Sequence, residues 1–168
     1  ILPENYDKGA KLIAETKKYV QFFEKYNGPF PFRSQKLGIV ETPHLGMEHS
    51  TLIAYGNKFN YNADGFDWLM LHELGHEWWA NKVTNRDWAQ MWIQEGICVF
   101  GDAMATRELA GEDAYLKRMQ QTARFIKNSI PIVQGDEVDS DQTYQGDIYD
   151  KGAFFMHTLR YVMGDEIF

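Results

Sequence analysis

The run Trp68-Leu69-Met70-Leu71-His72-Glu73-Leu74-Gly75-His76-Glu77-Trp78-Trp79 constrains this chain more than any other segment. It is apolar enough to be buried on most sides, yet it carries two histidines and an acid at its centre. Buried polar groups cost free energy unless something satisfies them. If residues 66–82 form one helix, His72 and His76 project from the same face, about one turn apart. Two imidazoles at that spacing can bind one metal ion. Glu73 is turned about 100° away from His72. It is badly placed to ligate the same ion and well placed to hold a water beside it, as a general base does. The plain alternative is a helix with two surface histidines, and the apolar surroundings argue against it.

A tetrahedral catalytic zinc takes three protein ligands and keeps one position open. A second helix, expected over 87–109, offers Glu95 inside Met91-Trp92-Ile93-Gln94-Glu95-Gly96. Eighteen residues lie between His76 and Glu95. That allows one helix to end, Val83-Thr84-Asn85-Arg86 to turn, and an antiparallel neighbour to return level with the histidines. The plain reading of Glu95 is a salt-bridged or surface acid. Asp102 falls two turns further along the same face. It is either a partner that orients a ligand histidine or a surface acid.

The rest of the chain reads as an α+β domain: one helix, a small sheet, then helices. Residues 4–26 carry Leu12, Ile13, Val20 and Phe23 roughly on one face and stop at Asn27-Gly28-Pro29. Residues 36–56 are rich in β-formers, read as a hairpin or meander ending at Gly56-Asn57. A third helix is expected over 112–129, then an irregular stretch over 131–147, then a last helix from about Ile148. With 168 residues, 44% of them hydrophobic, the chain can build one core, and 1–168 reads as one domain. The net charge of −7 argues against a nucleic-acid partner. The one cysteine, Cys98, cannot form an internal disulfide and reads as a core residue. No stretch is apolar and long enough to span a membrane. The chain opens at Ile1 rather than Met and reads as a piece of something longer, so its compartment is not legible.

Several motifs taken in order resemble the gluzincin zinc aminopeptidases, the family of aminopeptidase N and leukotriene hydrolase, whose catalytic domain is thermolysin-like. They are Tyr26-Asn27-Gly28-Pro29-Phe30-Pro31-Phe32, the His72–His76 motif with Glu95, Asn81-Lys82-Val83-Thr84, Trp88, and Tyr149-Asp150-Lys151-Gly152-Ala153. Leu45-Gly46-Met47-Glu48-His49 resembles the family's exopeptidase motif, Gly-Ala-Met-Glu-Asn, with Leu45 and His49 as departures. The resemblance implies one zinc ion on His72, His76 and Glu95, with Glu73 as general base. It further implies Tyr149 as the catalytic tyrosine, with Tyr144 as the fallback. Gly46, Met47 and Glu48 would bind substrate, Glu48 through the free amino group. The substrates implied are peptides with a free N-terminus, and flanking domains are expected. Thermolysin-type endopeptidases space the third ligand one residue further on and lack the segment around Glu48. Epoxide hydrolysis on the same scaffold, or a binding module with a relict site, are the alternatives.

Overall fold

Helix α1 (Tyr6–Asn27) follows a 3-10 turn at Pro3–Asn5 and buries Leu12, Thr16, Tyr19, Phe22 and Phe23. Those positions recur every three or four residues, the spacing that turns one face of a helix inward. The helix stops at Gly28, whose φ of 82° suits a residue without a β-carbon. The computed structural model describes residues 1–168 and divides them into two units, Ile1–Lys82 and Val83–Phe168.

In the first unit a three-stranded sheet follows α1: β1 (Gly38–Glu41), β2 (Gly46–Met47) and β3 (Leu52–Tyr55). The order is β1-β3-β2, with β1 parallel and β2 antiparallel to β3. A meander would have made β1 and β2 neighbours. Instead β3 takes the centre, because Ile53, Ala54 and Tyr55 are its buried residues and β1 and β2 have none. Helix α2 (Trp68–Gly75) packs against α1 and β3. It is shorter than the helix expected over 66–82. Beyond Gly75 the N–H groups of Glu77 and Trp78 reach only three residues back, to Leu74 and Gly75, and the chain winds into turns. The Trp78 indole donates to the Gly28 carbonyl at 2.9 Å, holding those turns to the end of α1.

The second unit is helical: α3 (Trp92–Ala110), α4 (Glu112–Phe125), α5 (Ser140–Thr143) and α6 (Gly146–Met163). The helix expected from residue 87 begins as a separate 3-10 turn at Trp88–Gln90, capped by the Asp87 side chain. Helix α5 lies in the stretch read as irregular, and Asp139 and Gln142 close a capping box around it. Helices α3, α4 and α6 pack on one another. At the α3–α6 crossing, a β-carbon on Gly96 would stand 2.8 Å from Gly152 Cα. Two glycines are therefore what lets these backbones meet. Cys98 is 1% exposed, as a core residue should be. No helix is long and apolar enough to cross a membrane.

Candidate metal centre

Helix α2 starts where Asp67 accepts the Met70 N–H at 3.1 Å. Asp67 is itself fully buried and tightly held. Its carboxylate also accepts from the Tyr55 hydroxyl and, at 3.0 Å, from Asn57 Nδ2. Its own N–H donates to the Tyr19 hydroxyl at 3.0 Å. Burial pushes the Tyr55 and Tyr19 hydroxyls well above the usual tyrosine range, so both stay protonated. The start of α2 is thus tied to β3 and to α1 before the motif begins.

From that start, every residue from Leu69 to Gly75 is buried. His72 is 9% exposed, Glu73 6% and His76 1%. The two imidazoles face each other, with Nε2 of His72 and Nε2 of His76 3.2 Å apart and ring planes at 88°. His76 Nδ1 lies 3.0 Å from the Trp79 carbonyl oxygen. A carbonyl only accepts, so Nδ1 is the donor, and in the neutral imidazole that leaves the Nε2 lone pair for an ion. Zinc–nitrogen bonds of about 2.0–2.1 Å at tetrahedral angles would hold two ligand nitrogens about 3.3 Å apart. The spacing and the tautomer both fit a shared ion.

Glu48 joins this group. One carboxylate oxygen each from Glu48 and Glu73 and a ring nitrogen of His76 all lie within 4.8 Å of one another. Two acids brought that close to one imidazole form a niche whose chemistry suits a cation. Glu48 reaches it from the turn after β2, half-buried. Gly46, in β2, passes directly over Glu73: a β-carbon there would overlap Glu73 Oε1. Met47, the next residue, is 41% exposed.

In the second unit Glu95 lies in the first turn of α3 and is 4% exposed, so it is no surface acid. Asp102 is 5% exposed, which likewise removes the surface reading. Tyr149 is half-buried in the first turns of α6. That end of α6 is anchored by Asp147, whose carboxylate accepts the N–H groups of Lys127, Asn128 and Ser129 at 2.8–3.2 Å. Burial alone would raise the Asp147 pKa, but those backbone donors outweigh it and hold the carboxyl below its ordinary range. Lys151 adds a 2.8 Å bond to the Ile130 carbonyl. Tyr144 is 42% exposed, its ring 6.0 Å from that of Trp88.

Glu77 did not stand out in the sequence. It is fully buried, and its Oε1 accepts the Thr51 N–H at 2.7 Å. Burial raises its pKa, against the opposing pull of that N–H, of Asn81 and of His76. The available signal was a second acid inside the apolar run.

Residues 6–168 match the peptidase family M1 domain. The chain belongs to peptidase family M1. Among its relatives, aminopeptidase B of Rattus norvegicus is 30% identical over 150 residues, covering 82% of this chain and 21% of that protein. Leukotriene A-4 hydrolase of Xenopus laevis is 27% identical over 172 residues, covering 93% of this chain and 28% of that protein. This M1 domain therefore spans about a quarter of the length of those relatives. Among solved structures, yeast LTA4 hydrolase in complex with bestatin gives a TM-score of 0.81 at 22% identity, covering 96% of this chain and 28% of that one. An M1 zinc metallopeptidase mutant from Deinococcus radiodurans, bound to a Tyr-Ser-Ala substrate, gives 0.73 at 24% identity, covering 99% and 34%. These two likenesses establish the M1 fold, an α+β arrangement of a small mixed sheet and helices.

Proposed function

We propose that this M1 domain is the catalytic core of a zinc aminopeptidase that removes the N-terminal residue of peptides. The observation that carries the proposal is the 3.2 Å approach of the two Nε2 atoms, with His76 Nδ1 bonded to the Trp79 carbonyl. His72 and His76 would hold the ion, and Glu95, a buried acid at the start of α3, would be the third ligand. Family membership and the names of the relatives support zinc as the metal.

Zinc, when bound, supplies a Lewis acid for the scissile carbonyl and lowers the pKa of a coordinated water to about 7. Glu73, buried and turned off the axis of the histidine pair, takes the proton of the attacking water and returns it to the leaving amine. The Tyr149 hydroxyl donates to the oxygen that gains charge on the attacked carbonyl. Glu48 pairs with the substrate's α-ammonium, and its closeness to Glu73 supports that reading. An interior peptide bond lacks that ammonium, so the same carboxylate disfavours endopeptidase cleavage.

Metal analysis tests the reading directly. One zinc per chain is expected, falling to near zero in His72→Ala and in Glu95→Ala. Full zinc binding by Glu95→Ala would remove it from the ligand set. The likeness to leukotriene A-4 hydrolase supports a second reading, opening of an epoxide by the same residues. Parallel assays of an aminoacyl-anilide and an epoxide substrate separate the two.

A further inference from the structure

The turn that carries Glu48 is gripped at two points by the segment that follows the histidine motif. Asn81 Nδ2 donates to the Glu48 carbonyl at 3.0 Å. Glu77 Oε1 accepts the Thr51 N–H at 2.7 Å. Thr51 has a φ of 59°. A β-branched residue rarely adopts that left-handed conformation, and it persists only where the surroundings enforce it. Here the enforcing partner is a fully buried carboxylate. The turn closes through Leu52 N–H to the His49 carbonyl at 2.9 Å. From it Glu48 reaches within 4.8 Å of Glu73 and His76. One short stretch, residues 72–81, thus carries the two imidazoles, Glu73 and both clamps on the backbone of the turn that bears Glu48.

We infer that Glu77 and Asn81 are positioning residues for Glu48: they lock turn 48–51 so that its carboxylate stands at a fixed distance from Glu73 and His76. The inference rests on the proposed reading of Glu48 as the group that binds the substrate's amino terminus. Both clamps act on the backbone of the turn, at the Glu48 carbonyl and the Thr51 N–H. Their effect is to remove the freedom that Glu48 would otherwise lose each time an ammonium binds.

The test uses the full-length, zinc-loaded protein with Asn81→Ala, Glu77→Ala and Glu77→Gln. Amide hydrogen exchange at residues 48–52 should accelerate at least about tenfold in both alanine variants, since each loses one clamping bond. Glu77→Gln should remain close to wild type, because its amide oxygen still accepts the Thr51 N–H. KM for an unblocked aminoacyl-anilide should rise about five- to tenfold in the alanine variants, with kcat and zinc content little changed. An N-acetylated substrate should show no such rise. Unchanged exchange at 48–52 overturns the inference, as does an equal rise in KM for the blocked substrate. Should Glu77→Ala fail to fold, Asn81→Ala alone decides by the same criteria. If Glu48→Ala affects free and blocked substrates alike, the amino-group reading fails, and the exchange measurement by itself upholds or overturns the clamps.

Discussion

Glu73 fills the space that a side chain on Gly46 would need: a β-carbon on Gly46 would overlap Glu73 Oε1 and stand 2.9 Å from Leu69 Cδ1. The obstructing atoms are the ends of flexible side chains, so the backbone can survive an alanine there while Glu73 cannot stay where it is. Gly46→Ala should therefore lower kcat about ten- to a hundredfold with zinc content unchanged. Steady-state kinetics and metal analysis on one preparation check this. An unaltered kcat would mean that Glu73 need not sit under β2.

Glu73→Gln keeps the shape and removes the basicity. Turnover should fall by about 10²–10⁴-fold while zinc is retained. Near-normal turnover would assign the base elsewhere.

Glu48→Ala should cost far more against substrates with a free amino terminus than against N-blocked ones, by about tenfold or more in kcat/KM. Equal losses on both would remove the exopeptidase argument. Tyr149→Phe should instead lower kcat about a hundredfold, whatever the amino terminus, with zinc unchanged. If kcat holds, the exposed Tyr144 becomes the residue to test.

The α3–α6 crossing has no room for a side chain. Gly152 Cα would lie 2.8 Å from an added carbon on Gly96, and that obstruction is backbone. Gly96→Ala should destabilise the protein by about 1–3 kcal/mol. Because Gly96 follows Glu95, and Gly152 lies one turn beyond Tyr149, it should also disturb the metal and kcat. Denaturant unfolding reads the first effect. A variant as stable as wild type would show that the helices separate at no cost.

His157, in α6, offers a pH dependence of stability. Its Nδ1 lies 2.6 Å from the Tyr115 hydroxyl. Burial, then Arg160, hold its pKa below the ordinary value, with Glu112 opposing. A depressed histidine pKa means the unfolded chain takes up the proton first. Stability should therefore be full above about pH 6.5 and decline as the pH falls below it. Thermal melts of wild type and His157→Gln between about pH 7.5 and pH 5.5 should converge as the pH drops. A constant gap would exclude the linkage.

What the sequence made legible was local. The His72–His76 spacing survives any helix that begins before it, so the pair was readable although α2 ends at Gly75 and not at residue 82. The burial of Glu95 followed from its apolar neighbours. Strand order was not legible. Alternation and turn residues mark strands, but nothing in Lys36–Tyr55 says that β3 is central and parallel to β1. What Glu77 and Gly46 meet was hidden for the same reason. Both depend on what a distant segment brings near, Thr51 in one case and the Glu73 carboxylate in the other. Helix α5 was missed because four residues are too few to show a period.

The knot of bonds around Asp67 has a consequence for how the protein acquires its ion. Tyr55, Asn57, Tyr19 and Met70 all converge on that one residue. None of them needs a metal to do so. The imidazole pair therefore waits in shape, and chelation should strip the protein without melting α2. Reloading should then ask nothing of α2 that its own anchors have not already done.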